Sequence, residues 1–207
     1  PTIFLRATGV CNFNCKHCFN ATDINRDTSR WTLDEFKKLI KEAYNTEKIV
    51  LVENEFGKVG IDSGFLKDTG IEITAMSSGC ICCSLSGDFK KSIKKIQADY
   101  NPDRILIEPT GVGALSTAVD SVMDAGLTVG GLTTVVDVTK CKKYLKNFGE
   151  FFVNQVEHAG TIVLSRTDKM SDEKLKIAVD MLRECNATAT IITTPWDQLD
   201  GKDIKDT

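Results

Sequence analysis

Between residues 2 and 192 the sequence returns seven times to a short apolar run rich in β-branched residues, and helical periodicity fills most of the intervals. No other feature restricts the fold as much. The runs are Thr2 to Arg6, Lys48 to Val52, Ile71 to Met76, Arg104 to Ile107, Thr133 to Asp137, Thr161 to Leu164 and Thr190 to Ile192. Lys48 to Val52 is apolar almost without a break, as expected of a strand covered on both faces of a parallel sheet. Thr32-Leu33-Asp34-Glu35 is a capping box that opens a helix over 33–44, with Leu33, Phe36, Leu39, Ile40 and Ala43 as its apolar stripe. Leu85, Phe89, Ile93 and Ile96 recur at helical spacing, and further helical stretches lie near 114–125, 141–158 and 171–184, the last with Ser171 as its cap. Strands alternating with helices of this length require parallel crossovers, so the expected class is α/β with a mostly parallel central sheet flanked by helices. Such sheets collect ligands at the carboxyl ends of their strands. The residues that follow the runs are therefore the candidates: Asn54 and Glu55, Gly79 to Cys83, Glu108, Asp137, and Ser165 to Asp168.

Six of the eight cysteines fall into two compact groups, Cys11, Cys15 and Cys18, and Cys80, Cys82 and Cys83. Spacing this tight, in a reducing compartment, favours metal ligation over disulfides. The stretch GCICC (79–83) directly follows a strand-like run, and a loop leaving a strand can turn several thiolates towards one soft ion such as Zn²⁺ or Cu⁺. The competing reading is that these cysteines are small buried hydrophobes, which is also the expectation for Cys141 and Cys185. A formal net charge of −3 supplies no basic field for a nucleic-acid backbone, so nucleic acid is not expected as a partner. No apolar run approaches the roughly 20 residues that span a bilayer, and the amino end lacks the order of a signal peptide, which points to the cytoplasm and away from a membrane.

Five strand-end segments, ENEFGKVGID (53–62), GCICC (79–83), EPTGVG (108–113), NQVEHA (154–159) and SRTDK (165–169), occur in an order that resembles the CobW family of metal-chaperone GTPases over about residues 46–195. The resemblance implies a P-loop-NTPase-like fold and a guanine-nucleotide-dependent protein that carries zinc or cobalt on Cys80, Cys82 and Cys83 to a client metalloprotein. It implies catalytic roles for Glu55 and Glu108, whose carboxylates can hold Mg²⁺ or orient a water. It also implies cofactor contacts from Asn54, Gly57, Asp137, Ser165, Arg166 and Asp168. SRTDK is similar to the guanine-reading NKxD signature. Asp168 keeps the aspartate that accepts hydrogen bonds from the guanine edge, while Ser165 and Arg166 stand where Asn and Lys are usual. The homo-oligomeric state is left open by the sequence.

The family's glycine-rich phosphate loop, GxxxxGK followed by Ser or Thr, does not occur. In its place, Gly9 to Asn20 carries Cys11, Cys15 and Cys18 at C-x3-C-x2-C spacing, which resembles the opening of radical S-adenosylmethionine enzymes over about residues 2–44. That resemblance implies a 4Fe–4S cluster and S-adenosylmethionine as an alternative cofactor pair. A zinc knot using His17 is the plainer reading of the same residues. The Gly-Gly-Glu segment of such enzymes is missing after Val52. A third reading is a metal-binding module without nucleotide or catalysis. Residues 1–195 are thus expected to form one nucleotide-binding-like α/β unit, with 1–44 as its atypical opening and 46–195 as its CobW-like part. Trp196 to Thr207, polar and with alternating charges, reads as a frayed tail or a cut linker.

Overall fold

The computed structural model describes residues 2–7, 42–44, 46–53, 72–75, 86–108, 114–147 and 149–205. Its strands are β1 (Thr2–Ala7), β2 (Ile49–Glu53), β3 (Glu72–Ala75), β4 (Arg104–Glu108), β5 (Val129–Asp137), β6 (Thr161–Ser165) and β7 (Thr190–Ile192). They form one sheet in the order β3-β2-β4-β1-β5-β6-β7. Every pairing is parallel. All the carboxyl ends therefore share one edge of the sheet, as the alternating sequence pattern requires.

The helices α1 (Ser86–Tyr100), α2 (Leu115–Asp124), α3 (Cys141–Asn147), α4 (Gly149–Glu157), α5 (Asp172–Cys185) and α6 (Gly201–Lys205) connect or follow these strands. Along the sheet α1 packs on α2, α2 on α4, and α4 on α5. Side-chain alternation sends Val50, Val52, Ile105 and Ile107 to the same face as Ile93, Ile96, Leu115, Ala118 and Val122. Farther along the same layer, Val136, Ile162 and Leu164 meet Phe152, Val156, Ala178 and Leu182. The intervening residues Ile49, Leu51 and Leu106 are buried as well. Continuous apolar runs are the consequence of burial on both faces.

The structure departs from the sequence reading at four places. β5 begins at Val129 rather than Thr133, because Val129 and Gly131 pair with Thr2 and Ile3 of β1. Strand pairing outweighs the poor strand preference of Gly130 and Gly131. The helical stretch 141–158 is two helices, α3 and α4. Ser171 stands at the cap position of α5, yet its side chain makes no capping bond. The carboxyl segment expected as a frayed tail contains a 3-10 turn, Trp196–Gln198, and helix α6. Trp196 donates its indole N–H to the Leu164 carbonyl at 2.7 Å, and buried Leu199 packs on Val163. Of the helix expected at 33–44, Glu42 and Ala43 are helical, Tyr44 is buried just past the helix end, and residues 33–41 lie outside the described residues. Among the described residues no helix is long and apolar enough to cross a membrane.

Candidate functional site

The strand order fixes where a ligand can enter. From β1 the chain moves to β2 on one side of the sheet, whereas from the adjacent β5 it moves to β6 on the other. Connections that diverge from neighbouring strands open a crevice at their carboxyl ends. Ala7 of β1 lies beside Val135 of β5, so Asp137 closes β5 at the wall of that crevice. In register with Asp137 is Ser165, the last residue of β6. Two of the candidates are thus adjacent, and Arg166 and Asp168 follow directly.

Asp137 is 1% exposed and caps the 3-10 turn Val138–Lys140. Its Oδ1 accepts from the Thr139 backbone N–H at 3.0 Å and from the Thr139 hydroxyl at 2.6 Å. The second oxygen, Oδ2, faces Arg166 Nη1 at 3.4 Å across an ion pair whose side chains are 2% and 14% exposed. This contact is ionic: Oδ2 has charge opposite it but no hydrogen-bond donor among the described residues. Arg166 adopts the left-handed backbone conformation, with φ 63° and ψ 31°. That conformation is uncommon for a residue with a Cβ, and surrounding contacts must hold it.

From Arg166 the chain enters a second 3-10 turn, Thr167–Lys169, which packs against the first. Arg166 O and Thr167 O accept from the N–H groups of Lys169 and Met170. Thr167 is buried, and its hydroxyl has no hydrogen-bond partner among the described residues. Asp168 is exposed. Ser165 donates its hydroxyl to Val136 O at 3.3 Å, which ties the ends of β5 and β6 together. The site therefore has a buried, charge-matched base and an exposed carboxylate on its rim.

Glu108 closes β4 opposite Glu53 of β2. Asn54, Glu55, Gly57, Cys80, Cys82, Cys83, Cys11, Cys15 and Cys18 lie outside the described residues. Among the described residues no group of three or more His, Cys, Asp or Glu side chains can hold a metal ion. Cys141 is buried in the core between β5, β6 and the helices, with Cys185 packed against the same cluster. Burial, and to a lesser extent the neighbouring Cys185, pushes the Cys141 thiol up to about 11. Such a thiol is a packing group rather than a ligand.

Sequence reasoning missed Thr139 and the conformation of Arg166. The first had a signal, since Asp-x-Thr is the pattern of an aspartate that accepts from the backbone two residues on. The second had none, because neither glycine nor asparagine marks the left-handed position. Asn154, the first residue of NQVEHA, also gains a role. Its side-chain oxygen accepts from the Ser116 N–H at 3.3 Å, capping the start of α2, where Ala114 offers no side-chain cap.

The description "CobW/HypB/UreG, nucleotide-binding domain" matches residues 36–193. The chain is 29% identical over 173 residues to zinc-regulated GTPase metalloprotein activator 1 of Schizosaccharomyces pombe, covering 78% of this chain and 42% of that one. It is 27% identical over 164 residues to zinc chaperone YjiA of Escherichia coli, covering 74% of this chain and 50% of the other. The chain spans about half the length of the curated relatives it matches. Among solved structures, Zn(II)-bound YjiA GTPase from E. coli superposes with a TM-score of 0.60 at 19% identity, covering 96% of this chain and 58% of that one. That likeness speaks for the fold, a P-loop-NTPase-like α/β sheet. With a parallel sheet, strand-end turns and a family match through more than half of its length, the chain belongs to the CobW/HypB/UreG nucleotide-binding domain family.

Proposed function

We propose that this chain acts as a guanine-nucleotide-dependent metal chaperone domain, which takes up a transition metal at Cys80, Cys82 and Cys83 and passes it to a client metalloprotein. The observation that carries this reading is the exposed Asp168 on a turn that is fastened to the switch-point crevice by buried contacts. A carboxylate so placed can accept from both the ring N–H and the exocyclic amine of guanine, and it repels the acceptor that adenine offers instead. Zinc is the favoured cargo, in keeping with the names of two relatives, a zinc-regulated activator and a zinc chaperone. Cobalt is the alternative for the same thiolates. Three cysteines leave the last position of a tetrahedral ion for a water or a client side chain, which suits transfer better than storage.

Glu55 and Glu108 are the proposed hydrolytic carboxylates, holding Mg²⁺ or orienting a water, while Asn54 and Gly57 belong to the segment that would answer to the γ-phosphate. The sequence contains no GxxxxGK cradle. Phosphate contacts are therefore expected to be fewer and hydrolysis slow. A second reading concerns only the loop that leaves β1. Cys11, Cys15 and Cys18 follow the central strand where the phosphate loop would stand, and their spacing suits a 4Fe–4S cluster. Iron and acid-labile sulfide retained after anaerobic reconstitution, and lost in Cys15→Ser, would support it.

The main proposal is tested by titrating the purified chain with a fluorescent guanine nucleotide and, separately, with zinc against a chromogenic chelator. Asp168→Ala should weaken nucleotide binding by roughly tenfold to a hundredfold, the worth of charge-assisted hydrogen bonds. Cys82→Ser should lower zinc affinity and leave nucleotide binding in place. Zinc affinity indifferent to Cys82 would remove GCICC from the account, and a wild-type chain that ignores guanine nucleotides would remove the GTPase reading.

A further inference from the structure

We propose that Asp137 and Arg166 form a clasp that positions Asp168, so that selection of the base depends on a buried ion pair one strand away from the group that reads it. The inference rests on the guanine-binding reading above and concerns how this chain performs it with Arg166 where lysine is usual. A lysine stem reaching over a purine would leave its ammonium at the rim. Here the side chain turns inward, 14% exposed, and its guanidinium sits against the Oδ2 of an aspartate that is itself enclosed.

Three observations converge on a positioning role. The ion pair is almost dry, where opposite charges at 3.4 Å interact strongly and a lone charge would be costly. The carboxylate cannot swing away, because its other oxygen is held by the backbone N–H and the hydroxyl of Thr139. The residue it grips carries the left-handed backbone, φ 63°, that reverses the chain between β6 and the Thr167–Lys169 turn. Arg166 at the reversal and Asp168 on the turn are separated by Thr167 alone, and the turn is closed by Lys169 N–H donating to Arg166 O. Fixing the guanidinium thus fixes the first residue of the turn, and with it the outward direction of Asp168. A buried pair of this kind adds little net stability, yet it sets geometry well.

The test compares guanosine and inosine triphosphates, which differ by the exocyclic amine that Asp168 would accept from. Wild type should prefer GTP by about tenfold or more, the value of one hydrogen bond to a charged group. Two variants remove the clasp by different routes. Asp137→Asn keeps an oxygen for Thr139 and deletes the charge. Arg166→Gly keeps the left-handed backbone at low cost and deletes the guanidinium. In both, thermal melting should show a folded chain, affinity for GTP should fall more than affinity for inosine triphosphate, which offers Asp168 only the ring N–H, and the GTP preference should fall towards one. Retention of the wild-type preference in two folded variants overturns the clasp while leaving the guanine reading intact. A wild type that binds neither nucleotide overturns both. Loss of affinity for the two nucleotides in equal measure also overturns it, since that outcome marks general damage rather than lost aim at the amine.

Discussion

At the scale of single residues, burial decides which cysteines have chemistry available to them. Cys141 is 1% exposed within the core, and its thiol is pushed from 9.0 up to about 11, first by burial and second by Cys185. Below pH 9 the folded and unfolded chains both keep this proton, so the group contributes no pH dependence. Between about pH 9 and 11 the unfolded chain releases it and the folded chain does not, so stability must fall as pH rises through that window. Urea denaturation of wild type and Cys141→Ala across pH 8 to about 11 should show the wild type losing stability faster, and parallel curves would contradict the burial argument. The same residue should resist thiol reagents in the native state, since the reactive thiolate is scarce there. Position at a strand end was legible for Asp137, Ser165, Arg166 and Asp168, because the rule that ligands gather there needs only strand boundaries. The direction of the Arg166 side chain was not legible. It depends on a backbone conformation that its residue type does not announce.

Among elements, a single buried amide joins three of them. Asn186, 6% exposed, follows α5, and its Nδ2 donates to Val156 O at 2.8 Å and Ala159 O at 2.9 Å at the end of α4. Its Oδ1 accepts from Ala189 N–H at 2.8 Å on the way into β7. One side chain thus bonds three backbone groups, of which Val156 O also accepts from the Ala159 N–H at 3.3 Å. Asn186→Ala removes all of these bonds and is expected to cost about 2 to 4 kcal/mol, read as a lower urea midpoint with an unchanged slope. A loss under about 0.5 kcal/mol would mean that water takes over those bonds. The helices themselves were readable from apolar spacing, as Ile93 and Ile96 or Ala178 and Leu182 show, all of them buried. Phe151 and Phe152 mark the limit of that method. Neighbours on a helix point about 100° apart, and here Phe152 is buried while Phe151 is 43% exposed.

For the molecule as a whole, the sequence pattern specified parallel crossovers but not the order of strands. Each apolar run is compatible with several neighbours, and pairing is chosen by packing between helices distant in sequence. The right-handed rule then explains the layering. Crossovers from β3 to β4, β4 to β5, β5 to β6 and β6 to β7 advance in one direction, and their helices pack side by side along the sheet. The tail was misread for a related reason. Its polar composition hides two anchors, Trp196 and Leu199, whose value emerges only once β6 offers Leu164 O and Val163.

The placement of β1 has a consequence for how such a scaffold changes over time. Paired with β4 on one flank and β5 on the other, it brings the chain that follows Ala7 to the middle of the sheet's carboxyl edge. Whatever sequence occupies that position is presented at the centre of the ligand-collecting rim, so a change of insert there would be a change of chemistry without a change of sheet.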